Sequence, residues 1–209
     1  MRKILVVGAS GVVGREIVSE FLDDKECDEV VTWVRKASGA KHQKLREKVI
    51  NFDEILSLEN ERFDAVFCAL GTTIKQAKSA ENFKKVDVIY PVNLAIWAKC
   101  SGCENFTLIS APGANINSKF LYLKSKGEAE KGVKEQGFKS LSIIHPPLIN
   151  GERKDKRYGE KFMILLFEIL PKGWFKNIAP MSGKDIAKAT IKVAKIAENG
   201  VKIYRPQEI

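Results

Sequence analysis

The sequence predicts an α/β fold, a doubly wound and mostly parallel sheet with helices on both faces. Three observations lead there. Short apolar runs of strand length alternate with helical periodicity along most of the 209 residues. The first run, Ile4-Leu-Val-Val7, is apolar at consecutive positions, as a parallel strand covered on both faces must be. It passes through a glycine-rich turn, Gly8-Ala-Ser-Gly11-Val-Val-Gly14, straight into a helix.

The elements follow in order. From near Val12 a helix presents Ile17, Val18, Phe21 and Leu22 as one apolar stripe. Glu29–Val34 reads as the second strand, Lys48–Phe52 as the third, and Asp64–Leu70 as the fourth, ending at Gly71-Thr-Thr73. A helix is expected from about Glu81 to Lys99, a fifth strand over Asn105–Ser110, and a helix from about Ser118 to Val133. Ser140–His145 is the sixth strand, which Pro146-Pro147 stops. Right-handed crossovers then give the strand order 3-2-1-4-5-6. In such sheets ligands gather at the carboxyl ends of the strands, and Gly8, Arg35, Gly71, Ser110 and His145 all fall at such ends.

No linker, composition shift, repeat or low-complexity tract marks a boundary, so residues 1–209 read as one domain. Residues 150–182 are the least regular. They hold an apolar helix, Phe162–Leu170, followed by Pro171-Lys-Gly-Trp174. Most of these residues are expected to pack the core. Because the segment follows the sixth strand, part of it is expected to form a small cap over a substrate pocket, of a size that suits a modest substrate better than a sugar nucleotide.

The glycine turn points to a nucleotide. Glycine lets the backbone bend sharply and come close to a pyrophosphate, and the first N–H groups of the helix, with its positive dipole end, make an anion site. Gly14 lets helix and first strand pack closely. The spacing is G-x-x-G-x-x-G, not the commoner G-x-G-x-x-G. At the end of the second strand an NAD site usually carries a carboxylate for the ribose 2′-hydroxyl, whereas arginine accommodates the 2′-phosphate of NADP. This chain has Arg35-Lys36 there, a planar fork and a second positive charge, so NADP(H) is expected over NAD(H).

Tyr122 and Lys126 stand four residues apart and share one helix face. A free phenol titrates near 10, and a neighbouring ammonium favours the phenolate, which makes the pair suited to acid/base work. The lysine can also hold the nicotinamide ribose. Ser110 ends the fifth strand and can hydrogen-bond a carbonyl or alcohol oxygen of a substrate.

With these features together, the chain resembles the short-chain dehydrogenases/reductases and is most similar to their atypical, Tat-interacting-protein-like (HTATIP2-type) branch, a Rossmann-fold family. The resemblance rests on Gly8–Gly14, Cys68-Ala-Leu-Gly-Thr-Thr73, Leu108-Ile-Ser-Ala-Pro-Gly-Ala-Asn115 and Asn117–Glu130, and extends through His145–Ile149 to Tyr204-Arg-Pro206. It implies NADPH binding at Ser10, Gly11, Val12, Val13, Arg35, Leu70, Gly71, Tyr122, Lys126, Ile149 and Arg157, with Tyr122 as proton donor and acceptor. Two positions depart from the family pattern. Asp87 stands where many members have an asparagine that completes a proton relay, and Ala111 stands where a second serine often follows the first.

Composition excludes several other classes. A hydrophobic share of 44% with no run of membrane-spanning length fits a soluble globular protein. The formal charge of +9 raises nucleic acid as a partner, with clusters at Arg35–Lys48 and Arg153–Arg157. Lysines elsewhere alternate with glutamates, as in Lys124–Lys134, and basic residues are not interleaved with aromatic ones, so no nucleic-acid partner is expected. Four cysteines without a framework, in a chain whose N-terminus leads directly into a strand, suggest no signal peptide and a reducing, cytoplasmic location. Cys100-Ser-Gly-Cys103 lies at a helix C-terminus, where a thiolate is disfavoured, and lacks companion ligands, so no metal site is predicted. Two classes of function follow. One is an NADPH-dependent reductase acting on a small carbonyl or alcohol substrate, as a monomer or homodimer. The other is a non-catalytic NADPH sensor acting through a protein partner.

Overall fold

In the computed structural model, which describes residues 1–150 and 180–209 with the side chains of 149 and 150 left aside, strand β1 (Lys3–Val7) is the inner strand from which the sheet grows in both directions. Its residues alternate between two cores. Leu5 and Val7 face one side, Ile4 and Val6 the other, and all four are fully buried. That double burial is why the run is apolar throughout.

β2 (Glu29–Val34) and β4 (Ala65–Cys68) flank β1 in parallel, β3 (Leu45–Val49) lies outside β2, and β5 (Asn105–Ile109) and β6 (Ser140–Ile144) continue beyond β4. The expected order 3-2-1-4-5-6 is therefore observed. A seventh parallel strand, Gly200–Tyr204, extends the sheet beyond β6. Nothing in the sequence reading anticipated it, because an edge strand with Val201 and Ile203 half exposed lacks the burial pattern of a central one.

Helix α1 (Val12–Asp23) covers one face through Val13, Ile17 and Phe21, where Phe21 meets Phe67 of β4 at 5.3 Å between rings. The other face is covered by Phe52 and Ile55 of a 3-10 turn (Phe52–Ser57), by a helix over residues 90–100 through Leu94, Ala95, Trp97 and Ala98, and by Val133 from the helix that follows β5. Trp97 packs edge-on against Trp33 at 4.5 Å.

Two expected elements shift. The third strand lies at Leu45–Val49, not at Lys48–Phe52. Being an edge strand, it has the charged residues Arg46, Glu47 and Lys48 that discourage edge pairing. The apolar Ile50 and Phe52 belong to the turn that follows, where Asn51 caps the backbone N–H of Asp53. The helix expected from Glu81 to Lys99 is divided. After a short helix α2 (Ile74–Ala77) come α3 (Ala80–Lys84), one π-turn (Lys85–Ile89) and α4 (Tyr90–Cys100). Pro91 explains the break. It has no N–H to give the Asp87 carbonyl four residues back, and its ring crowds that carbonyl, so the helix absorbs an extra residue.

Helix α5 (Leu121–Lys134) follows β5. Two short strands, β7 (Ile149–Asn150) and β8 (Met181–Ser182), pair in parallel, and α6 (Gly183–Ile196) packs beside α1 before the sheet's last strand, β9. The expected helix at Phe162–Leu170 and the cap over most of 150–182 lie outside the described residues.

Candidate functional site

The register of the sheet decides which residues meet. Val7 lies beside Trp33 and Cys68, Cys68 beside Leu108, and Ile109 beside Ile144. The chain leaves these strands at Gly8, Arg35, Ala69, Ser110 and His145 along one edge; the fourth strand stops at Cys68, so Gly71, expected directly at its end, stands three residues beyond it in the turn.

At that edge the three glycines of the turn have different duties. Gly8 takes φ +94°, and a Cβ there would fall 2.4 Å from the Ala69 carbonyl oxygen. At Gly14 a Cβ would stand 2.3 Å from the Gly8 carbonyl oxygen. Gly14 is glycine because the helix backbone touches the end of β1 there, and Gly8 because the turn after β4 passes against it. Gly11 differs. Its φ of −77° suits any residue, and an added Cβ would meet only the Gly8 oxygen at 3.3 Å. The fold makes little demand for glycine at Gly11, whereas a group bound over the turn would. Ser10 and Gly11 are exposed, Val12 is half-buried, and the Val13 side chain enters the core. The first turn of α1 holds no acidic residue, so nothing offsets the positive helix end.

Arg35 and Lys36 are exposed, and among the described residues neither pairs with a carboxylate. Their charges are free to meet an anion. Leu70 is half-buried and Gly71 exposed on the turn after β4. Of the expected cofactor contacts, Ile149 is described only in its backbone pairing, and Arg157 lies outside the described residues.

On α5, Tyr122, Lys126 and Glu130 are spaced four apart along one face. The Lys126 ammonium lies 6.0 Å from the centre of the Tyr122 ring, and Phe83 packs against that ring from α3 at 6.4 Å. Lys126 is buried and forms an ion pair with Asp87 Oδ1 at 2.8 Å, while the backbone N–H of Thr72 donates to the other oxygen of Asp87 at 2.9 Å. Burial alone pushes the Lys126 ammonium down. The Asp87 carboxylate, followed by Tyr122, more than offsets that and holds it well above the ordinary lysine value.

Ser110 donates its hydroxyl to Glu130 Oε1 at 2.5 Å, and His145 Nε2 bonds the same oxygen at 2.7 Å. Lys134 approaches the other Glu130 oxygen at 3.6 Å. Glu130 thus ties the ends of β5 and β6 together. The sequence reading left Glu130 unassigned, although its spacing after Tyr122 and Lys126 on one helix face was a usable signal. Cys103 is buried and its thiol is pushed up to about 11, chiefly by burial, while Cys100 is exposed.

Known proteins show the family to which this chain belongs. Residues 4–127 match the NAD dependent epimerase/dehydratase family. The chain is 32% identical to the protein HTATIP2 of Rattus norvegicus, over 85% of its own length and 75% of the relative's. It is also 32% identical to the mitochondrial protein FMP52 of Candida albicans, over 93% and 89%. The resemblance drawn from the motifs is borne out. Among solved structures, MoeE5 in complex with UDP-glucose and NAD superposes with a TM-score of 0.73 at 16% identity, covering 97% of this chain and 75% of that one. A UDP-galactose 4-epimerase gives a TM-score of 0.74 at 15% identity, over 98% and 76%. These two show the same fold.

The relatives also overturn one expectation. The FMP52 proteins are named as mitochondrial, so the cytoplasmic assignment does not stand. Free thiols report a reducing environment, not which membrane encloses it. No helix among the described residues is long and apolar enough to cross a membrane.

Proposed function

Because the chain belongs to the NAD dependent epimerase/dehydratase family, an NAD(P)-binding family of oxidoreductase type, we propose that it is an NADPH-dependent reductase of a small carbonyl compound. The observation behind this reading is the placing of Tyr122 and Lys126 on one face of α5, beside the edge that holds the glycine turn and the Arg35-Lys36 pair. The N–H groups at the start of α1 and the open Gly11 would receive the pyrophosphate, and Arg35 with Lys36 the 2′-phosphate. NADPH, when bound, supplies the hydride. Tyr122 gives a proton to the substrate oxygen and Lys126 stabilises the phenolate left behind. Ser110 lies at the end of β5, where it would orient that oxygen. In this reading residues 1–209 form one domain.

A second reading has support from two bonds. Ser110 is engaged by Glu130 and Lys126 by Asp87, an arrangement also compatible with an NADPH sensor that works through a protein partner with little turnover. A screen of carbonyl compounds by NADPH oxidation separates the two. Stoichiometric binding without turnover on a broad panel favours the sensor.

Cofactor choice is tested by titration. NADPH is expected to bind more tightly than NADH. Arg35→Ala should weaken NADPH by about 1.5–3 kcal/mol, the range for hydrogen bonds to charged groups, and leave NADH little changed. Equal titration curves for both cofactors in the unmodified protein would exclude the assignment.

A further inference from the structure

Glu130 has no part in the chemistry proposed above, yet its side chain is only 7% exposed and gathers three donors. The Ser110 hydroxyl lies 2.5 Å from Oε1, His145 Nε2 lies 2.7 Å from the same oxygen, and the Lys134 ammonium stands 3.6 Å from Oε2 as the counter-charge. A carboxylate accepts hydrogen bonds and donates none, so the two contacts at Oε1 fix where two hydrogens stand. The Ser110 hydrogen points to Glu130, and His145 carries a hydrogen on Nε2. Both strand ends are also pinned by their backbones. The Ser110 N–H donates to the Ile144 carbonyl at 2.8 Å, and the His145 N–H to the Tyr204 carbonyl at 2.9 Å.

We infer that Glu130 is a positioning residue that commits the single hydrogen of Ser110, so that Ser110 meets the site as a hydrogen-bond acceptor and selects ligands that bear a hydroxyl. A hydroxyl has one hydrogen and two lone pairs, and here the hydrogen is already given away. A carbonyl oxygen has no hydrogen to offer. It accepts from Tyr122, but against Ser110 it sets one acceptor on another. An alcohol oxygen accepts from Tyr122 and gives its own hydrogen to Ser110. The alcohol is therefore held at two points and its carbonyl counterpart at one. No bond is made or broken in this choice. It decides which of two compounds related by hydride transfer is gripped more tightly, and in the reducing direction it falls on the product, whose departure it delays. Glu130 acts through Ser110, not on the ligand.

This inference rests on the proposed cofactor and substrate site, and its test keeps the two apart. Cyclohexanol is titrated into the protein–NADPH complex and cyclohexanone into the protein–NADP+ complex, two pairings in which no hydride can move. The ratio of the two affinities in the unmodified protein is the reference. Ser110→Ala removes the acceptor, and Glu130→Met keeps the bulk while freeing the hydroxyl to turn toward a carbonyl. Each should shift the ratio about fivefold toward the ketone, the equivalent of one hydrogen bond, and the double variant should shift it no further. A merely structural Glu130 weakens both ligands alike and leaves the ratio where it was. A second measurement needs neither cofactor nor ligand. The chain has two histidines, His42 and His145, so nitrogen-15 spectra of the imidazole rings are assigned with His42→Gln. His145 should carry its hydrogen on Nε2, since the bond made by a ring nitrogen sets where the hydrogen resides, and that hydrogen should exchange faster with water in Glu130→Met.

An unmoved ratio in Glu130→Met overturns the inference and leaves the cofactor reading intact, and so does a failure of cyclohexanol to bind the NADPH complex. If the unmodified protein binds no nicotinamide cofactor, that reading falls, and the imidazole spectra alone decide whether Glu130 is the acceptor. A hydrogen on Nε2 supports it, and a bare Nε2 overturns it. Should Glu130→Met fail to fold, Ser110→Ala supplies the comparison. A ratio shifted toward the ketone supports Ser110 as an acceptor, and an unmoved ratio overturns the inference.

Discussion

Tyr122→Phe is expected to lower turnover by at least about 10²-fold, the low end for a positioned acid or base, while leaving NADPH affinity nearly unchanged. The substitution keeps the ring that packs against Phe83 and removes only the proton that the proposed chemistry delivers. Lys126→Ala should harm both binding and turnover, because the lysine is assigned to the ribose and to the phenolate, and because it leaves Asp87 buried without its counter-charge. The measurement is steady-state NADPH oxidation on a substrate found with the unmodified protein, beside a calorimetric titration of each variant. An unchanged rate in Tyr122→Phe makes Tyr122 a structural residue and removes the acid/base assignment.

The second large effect separates folding from binding within a single turn. Gly14→Ala is expected to reduce the free energy of unfolding by more than about 3 kcal/mol, because its Cβ would enter the Gly8 carbonyl and neither backbone can withdraw without moving β1 from α1. Against a typical stability of about 5–15 kcal/mol, a loss of that size shows plainly in denaturant melts. Gly11→Val should behave oppositely. Its backbone angles already suit an ordinary residue, and the one close contact asks for a shift of a few tenths of an ångström, so the melting curve should stay near normal. Cofactor binding should nonetheless disappear in calorimetry, since the side chain fills the space over the turn. Retained binding would place the phosphates elsewhere.

The contrast between Gly14 and Gly11 illustrates what could be read from the chain. Three glycines at regular spacing announced the turn, yet nothing in the spacing told which of them the backbone itself requires. That depends on the approach of Ala69 and Gly8, which belong to other parts of the sheet edge. The third strand shows a related limit. Its apolar neighbours Ile50 and Phe52 drew the expected strand toward them, but at the edge of the sheet one face meets water, and those residues were needed by the turn beneath Tyr90. The added strand at Gly200–Tyr204 escaped notice for the same reason.

In the site, Tyr122 and Lys126 were legible because helical spacing alone puts them on one face. Ser110, Gly8, Arg35 and His145 were legible as strand ends, since a parallel sheet gathers its carboxyl ends along one edge, whereas Gly71 stands in the turn beyond the end of β4. These are local rules, periodicity and handedness, and the sequence by itself determined everything that follows from them: the inner strands, the order 3-2-1-4-5-6, the glycine turn and the family. Only the tertiary structure decided how the buried charges pair. Asp87 meets Lys126 across 39 positions of sequence because Pro91 forces a π-turn, and Glu130 reaches both Ser110 and His145 because α5 crosses the ends of two strands. A charge excluded from water must find its partner wherever packing brings one, and that choice is made by the fold as a whole.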